Sequence, residues 1–239
     1  MPWKPIWEHR GTGRRPRHEL PELVRLDGFD TTAGRISEDE WVRMVARASE
    51  RLRLHAGARI CEVGCGAGAF LYPMYRASVR RVYGIDYAAS LLAISAALMP
   101  EGAFVVAEAS HIPFRAGAFD AVVSNSVFQY FPSHAYAAST VREMIRVLRH
   151  DGAGLVLDIN DEAKREAYET MRRASMPPGE YDRLHQDTPH LSFERAWWLR
   201  LGVECGVSVQ LYNQDIPGYR NAPFRYNVLF EKTPRWQIR

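Results

Sequence analysis

Glu62, Gly64, Gly66 and Gly68 stand on alternate positions in Ile60-Cys61-Glu62-Val63-Gly64-Cys65-Gly66-Ala67-Gly68-Ala69-Phe70. Glycine lets a chain turn sharply after a strand and lets a ligand approach the main chain where a Cβ would stand in the way. Ala69 to Tyr72 can open a helix, whose first N–H groups lack partners within it. A strand, a glycine turn and a helix make the usual nucleotide-binding corner of an α/β sheet. Because Gly64-x-Gly66-x-x-Ala69 also satisfies the loose dinucleotide pattern, the glycines alone leave the nucleotide open.

Two carboxylates narrow the choice. Glu62, two residues before the first glycine, suits a ligand carrying positive charge at its near end and would be unhelpful beside a pyrophosphate. Asp86 closes the run Arg81-Val82-Tyr83-Gly84-Ile85, 18 positions after Gly68. A carboxylate there can accept both hydroxyls of a ribose.

The elements that must position these residues follow from periodicity. Alternating strands (Arg59 to Val63, Arg81 to Ile85, Ala103 to Ala107, Ala121 to Ser124, Gly154 to Asp158) and helices (67 to 76, 88 to 98, 135 to 149) predict a parallel sheet covered on both faces. Ahead of them, Ser37-x-x-Glu40 is a capping box, and Trp41, Met44, Val45, Ala48 and Leu52 keep a helical period, with Trp41 expected in the core. After Asp158 the rhythm breaks. Residues 160 to 192 are polar, with a helix capped by Asp161 and running to about Ala174, and they read as a lid. A helix over Phe193 to Leu201 follows, then strands over Val207 to Tyr212 and Arg225 to Glu231.

Composition sets the outer bounds. The 239 residues, 46% hydrophobic, suffice for one large domain: an N-terminal arm and helix (1–57), a ligand-binding core (58–160), a lid and helix (161–203) and C-terminal strands (204–239). The net charge of +3 is local, since residues 1–25 carry six Lys/Arg against three acids and the remainder balances. Part of that arm, Lys4, Arg10, Arg14, Arg15, Arg17 and Arg25, could meet nucleic acid; a solvated terminus is the plainer expectation. No apolar run approaches the roughly 20 residues that cross a bilayer, and Met1-Pro2-Trp3-Lys4-Pro5 is no signal-peptide start, so no membrane partner and a cytoplasmic location are expected. Cys61, Cys65 and Cys205 form no C-x-x-C pair, and no metal site is predicted.

Further motifs occur in order: Ala107-Glu108-Ala109-Ser110-His111-Ile112-Pro113-Phe114, then Ala118-Phe119-Asp120-Ala121-Val122-Val123-Ser124-Asn125, then Leu148-Arg149-His150-Asp151-Gly152-Ala153-Gly154. With the glycine corner they make residues 58 to 160 resemble the class I S-adenosylmethionine-dependent methyltransferases. The resemblance implies a Rossmann-like, seven-stranded, mostly parallel sheet whose last strand runs antiparallel, and S-adenosyl-L-methionine as cofactor. It implies that Glu62, Gly64, Cys65, Gly66 and Gly68 surround the methionine moiety and that Asp86 holds the ribose beside Tyr87. It further implies that Glu108, Ala109 and Ser110 meet the adenine, and that Asn125 faces the methionine part or the methyl. His150-Asp151 and Gln129-Tyr130 depart from the family's usual residues at those places.

The acceptor is less legible. Ser124-Asn125-Ser126-Val127 lacks the Asn-Pro-Pro-aromatic signature of enzymes that methylate exocyclic base nitrogens. A small molecule of natural-product or carbohydrate type, methylated on O or N, is therefore preferred over nucleic acid or protein. Tyr130, just after the fourth strand, and His190 in the lid are the candidates to align or deprotonate it. Trp3, Trp7, Tyr130, His185, Tyr219, Asn221 and Arg225 are the candidate pocket walls. No sequence feature assigns an oligomeric state.

Overall fold

In the computed structural model, residues 3–13, 19–30, 34–185 and 189–232 are described. Three helices precede the sheet: α1 (Lys4–Gly11), α2 (Leu20–Leu26) and α3 (Glu38–Arg51). Ser37 caps α3 by accepting from the Glu40 amide, and Trp41, Met44, Val45 and Ala48 turn inward as their period requires. The described residues ahead of α3 do not form a loose arm. Arg10 donates to the carbonyls of Arg25 and Leu26 and to Asp30, and α1 packs on a core helix. Arg14, Arg15 and Arg17 lie outside the described residues.

The core alternates as expected: β1 (Arg59–Val63), α4 (Leu71–Arg76), β2 (Arg81–Asp86), α5 (Ala89–Leu98), β3 (Ala103–Val106), β4 (Phe119–Asn125), α6 (His134–Val147) and β5 (Leu148–Asn160). The lid holds α7 (Arg165–Ala174) and α8 (Glu180–His185); α9 (Arg195–Cys205), β6 (Val207–Asn213) and β7 (Arg225–Lys232) complete the chain. The sheet order is β3-β2-β1-β4-β5-β7-β6. β7 runs antiparallel to β5 and to β6, while the other neighbours pair in parallel. The sheet is thus seven-stranded and Rossmann-like, with its last strand reversed.

Three boundaries differ from the sequence reading, each for a local reason. The helix expected from residue 67 begins at Leu71, because Gly64, Gly66 and Gly68 all take positive φ and hold the chain in a turn. The helix expected to reach 149 stops at Val147, and Leu148 at once pairs with Phe119. β5 is therefore far longer than its apolar run. The helix expected from Phe193 starts at Arg195, since Phe193 bridges to Asp161 and its amide donates to the Asn160 carbonyl at 2.9 Å. Pro21 in the first turn of α2 and the apolar Leu20, Leu23, Val24 and Leu26 account for a helix not read from the arm.

β1, β2, β4 and β5 are almost wholly apolar where both faces are covered, and their carboxyl ends carry the polar residues Glu62, Asp86, Asn125 and Asp158. Ligands of open α/β sheets bind there, on the side where strand order reverses. Among the described residues no helix is long and apolar enough to cross a membrane.

Candidate active site

The glycine corner is held open by its neighbours. The amides of Gly64 and Cys65 donate to the Ile85 carbonyl at 2.8 and 3.0 Å, tying the turn to β2. Gly64 at φ 77° and Gly66 at φ 50° take the left-handed region that a Cβ disfavours. A Cβ on Gly64 would also meet Val127, and one on Gly66 would meet the Asp27 carboxylate.

Three carboxylates converge on this corner. Glu62 is buried and its Oε2 has no hydrogen-bond partner. Asp86 accepts from the Gly66 and Ala88 amides, each at 2.8 Å. Asp27, from the end of α2, accepts from Ala67 at 2.6 Å and Ala69 at 3.0 Å. Burial raises all three. It pushes Asp27 up to about 7 against the lowering by its two amides, and Asp86 to about 6. Glu62 stands well above its ordinary value, through burial and then the charges of Asp27 and Asp86. Among the described residues no cation contacts any of them; Arg10 eases Asp27 only from a distance and is itself paired with Asp30.

The cleft continues along the carboxyl ends of β2 and β4, lined by Tyr87, Leu91, Ala107, Ala109, Asn125, Val127, Tyr130 and Tyr136. Glu108 accepts from the Tyr136 hydroxyl at 2.8 Å, and Ser110 Oγ lies 3.0 Å from His111 Nδ1. Asn125 is buried with its Oδ1 unpartnered. Trp7 and Trp41 wall the other side; the Trp41 indole donates to the Ala69 carbonyl at 2.9 Å, so this core residue also braces the glycine turn. Cys65 and Gly68 support from behind: Cys65 is buried against Gly84, and the space over Gly68 is filled by Met99 and Ser95.

Where the cleft meets the lid, aromatic rings form a partition. Trp3 stacks on His190 with centroids 5.0 Å apart and meets Tyr130 edge-on at 5.0 Å; Trp7 meets Tyr130 at 5.1 Å, and Tyr130 meets His190 at 5.2 Å. Burial pushes the Tyr130 hydroxyl up to about 12. Beyond the partition lies a chamber of about 400 Å³, walled by Tyr168, Tyr181, Phe224, Asn160, Ser192 and His190. Asn160 Nδ2 donates to Leu191 O at 2.8 Å, and its buried Oδ1 is left without a donor.

Tyr219, Asn221 and Arg225 do not line the cleft; they belong to a buried network around Asp158, which the sequence reading missed as a site residue. Asp158 has φ 61° in β5, at the bulge between Val156 and Ile159. It accepts from Ser126 Oγ at 2.8 Å and from the Tyr219 hydroxyl at 2.9 Å, with Arg225 Nε 3.8 Å away. Arg225 also donates to the Tyr168 hydroxyl at 3.1 Å. Burial works most strongly against the Arg225 charge, but Asp158 together with Tyr168, Tyr219 and Tyr130 holds the pKa above its ordinary value. His185 ends α8, and its side chain lies outside the described residues.

The residues present fit a cofactor with a cationic amino-acid end and a ribose: an unpartnered buried Glu62 oxygen, a backbone turn with no Cβ, and Asp86 with lone pairs to spare beyond its two amides. Asp27 was not foreseen, because its partners lie 40 and 42 residues away and no local pattern couples them.

Comparison with known proteins agrees with this geometry. Residues 61–156 match the model of a methyltransferase domain. The chain is 31% identical over 172 residues to the malonyl-[acyl-carrier protein] O-methyltransferase of Geobacter sulfurreducens, covering 68% of this chain and 63% of that protein. It is 31% identical over 131 residues to the tRNA (carboxymethyluridine(34)-5-O)-methyltransferase alkbh8 of Xenopus tropicalis, covering 54% of this chain and 20% of that one. The chain therefore spans less than two-thirds of either relative's length. Among solved structures, a chain of the complex containing the Haloferax volcanii Trm112 methyltransferase activator superposes with a TM-score of 0.65 at 18% identity, covering 92% of this chain and 97% of that one. The likeness there is one of fold.

Proposed function

We propose, from the premise that residues 61–156 are a class I S-adenosylmethionine-dependent methyltransferase domain, that the chain methylates an oxygen or nitrogen of a small molecule, of natural-product or carbohydrate type. The observation that carries the reading is the convergence of Asp27, Glu62 and Asp86 on a glycine turn with, among the described residues, no cation against them. Carboxylates raised by burial in this way call for a positive ligand. Glu62 and Asp27 would hold the ammonium of the methionine end, Asp86 the ribose, and Glu108, Ala109 and Ser110 the adenine.

Bound there, the sulfonium supplies an electrophilic methyl group for an in-line displacement. The protein's share is alignment and exclusion of water. Trp3, Trp7 and Tyr130 cover the cleft and shed solvent from it. Tyr130 stands between cleft and chamber, where its hydroxyl can hold an acceptor atom; at a pKa of about 12 it serves at neutral pH as a donor and not as a ready base. In this reading His190, in the same aromatic partition, would take the proton of an acceptor hydroxyl or ammonium. The chamber's aromatic walls and the free Asn160 Oδ1 favour a flat or ring-shaped acceptor that offers hydrogen-bond donors.

Calorimetry with S-adenosylhomocysteine and with NADH tests the cofactor, and tight NADH binding without S-adenosylhomocysteine binding would sink the proposal. Transfer of labelled methyl into a panel of hydroxylated and aminated small molecules, run beside bulk tRNA, tests the acceptor. The relative acting on tRNA and the basic arm support a second reading, an RNA methyltransferase. That reading expects label in the RNA alone, and binding that weakens steeply with salt and is lost when Arg14, Arg15 and Arg17 are changed together to Glu.

A further inference from the structure

On the other side of the Asp158 network, α3 and the chain after β6 enclose a groove of about 360 Å³ that the methyl-transfer reading does not use. Its α3 wall carries Arg43, Arg47 and Arg51, four residues apart, so the three side chains leave one helix face along a rise of about 12 Å. Like charges at this spacing cost a helix a few tenths of a kcal/mol per pair. Local acids offset the cost only in part. Arg43 pairs with Glu40. Arg47 donates to the Asp215 carbonyl at 3.0 Å and stands 4.0 Å from its largely exposed carboxylate. Arg51 lies over the Tyr212 ring, 3.9 Å from its centroid. A guanidinium has five N–H donors, and these contacts use few of them.

The lining also includes a buried amide pair. Asn227 Nδ2 donates to Gln214 Oε1 at 3.0 Å, which fixes the orientation of the Gln214 amide and leaves its Nε2 with no acceptor, although the residue is only 9% exposed. A buried donor left in this state costs about 1–3 kcal/mol. Gln214 Nε2 has almost no accessible surface, so the amide pair forms part of the groove's wall and is no contact for a ligand. The concavity and the guanidinium row together match the needs of phosphate oxygens.

We propose that this groove binds the phosphate groups of a phosphorylated small molecule, with Arg43 and Arg47 supplying guanidinium forks. The site does not depend on the identity of the ligand in the glycine cleft.

Titration of the full chain with inorganic pyrophosphate and with ADP, with and without saturating S-adenosylhomocysteine, tests the proposal. Binding is expected with a Kd on the order of 1 mM or tighter, unchanged by S-adenosylhomocysteine. Arg47→Glu and Arg43→Glu, both at exposed positions, are expected to weaken it about tenfold or more while leaving S-adenosylhomocysteine affinity and melting temperature as they were. Absence of pyrophosphate and ADP binding overturns the proposal, as does binding that Arg47→Glu leaves intact or that S-adenosylhomocysteine displaces. Tight, steeply salt-dependent binding of a single-stranded RNA oligonucleotide without pyrophosphate binding would overturn it in favour of a nucleic-acid surface.

Discussion

Acids meet the carboxyl edge of the sheet at two places, the glycine corner and the end of β5, and they are treated in opposite ways. At the glycine corner, Glu62, Asp86 and Asp27 face one another with backbone amides and, among the described residues, no contacting cation. At the end of β5, Asp158 is enclosed by Ser126, Tyr219 and Arg225. The first set is short of positive charge, whereas Asp158 has its counter-charge in Arg225 and hydroxyl donors in Ser126 and Tyr219. A buried charge without a partner is retained only at a cost, so it marks where a ligand completes the electrostatics. A buried charge with every partner present marks a scaffold. The difference assigns ligand contact to one side of the partition and support to the other.

The largest expected effect breaks the scaffold side. Asp158→Ala leaves Arg225 buried without its counter-charge, and loss of one member of a buried pair costs about 3–5 kcal/mol. Urea denaturation of the purified variant reads this directly, and a loss under about 1 kcal/mol would mean that Asp158 is no keystone and that the contrast is false. On the ligand side the balance reverses. Asp86→Ala is expected to lower S-adenosylhomocysteine affinity by more than tenfold, about 1.4 kcal/mol or more, with stability little changed. Unchanged affinity in calorimetry would remove Asp86 from the ribose.

Tyr130 belongs to the boundary between the two regions and is expected to show a smaller effect of its own. Tyr130→Phe keeps the ring contacts with Trp3, Trp7 and His190 and removes one hydrogen bond, worth about 1 kcal/mol or roughly fivefold in rate. Turnover with a small-molecule acceptor should fall by that factor while S-adenosylhomocysteine affinity holds. Equal turnover would leave Tyr130 as a wall alone.

How much of this was legible in the sequence follows the same division. Glu62, Asp86, Asn125 and the glycines are readable because short segments place them: an apolar run ends, and the next residue must lie at the end of a strand. Asp27 and Asp158 are not. Asp27 acts through amides 40 residues on, from a helix hidden in an arm rich in Pro, Gly and Arg. Asp158 looked like the last residue of a strand, but its left-handed φ and its tie to Tyr219 and Arg225, some 60 residues later, arise only when β7 returns beside β5. Tyr219 and Arg225 were picked out as pocket walls for their chemistry, and the fold uses that chemistry inward. Local pattern conveys strand ends and turns; it carries nothing about which distant side chain satisfies a buried charge.

The smallest effect is the most direct probe of the charge deficit. Asp27 stands at about 7 in the folded chain against an ordinary 3.8, so between those values the folded state holds a proton that the unfolded state has lost. Stability of the free protein is then full below about pH 4 as far as this group is concerned, and declines as pH rises through the window to about 7. For a half-buried group screened by solvent the decline is expected to be under about 1 kcal/mol. The ammonium of the ligand's amino-acid end favours the ionised acids, so S-adenosylhomocysteine affinity should rise between pH 5 and pH 7, opposite in sign to the stability of the free chain. Asp27→Asn keeps one acceptor oxygen for the Ala67 and Ala69 amides, which donate to separate oxygens of Asp27, and cannot ionise; it should flatten both trends and leave Asp86 and Glu62 to supply what remains. Denaturation curves and calorimetry at the two pH values measure the pair of slopes. Affinity falling with pH, or slopes of the same sign, would show that the corner is not waiting for positive charge.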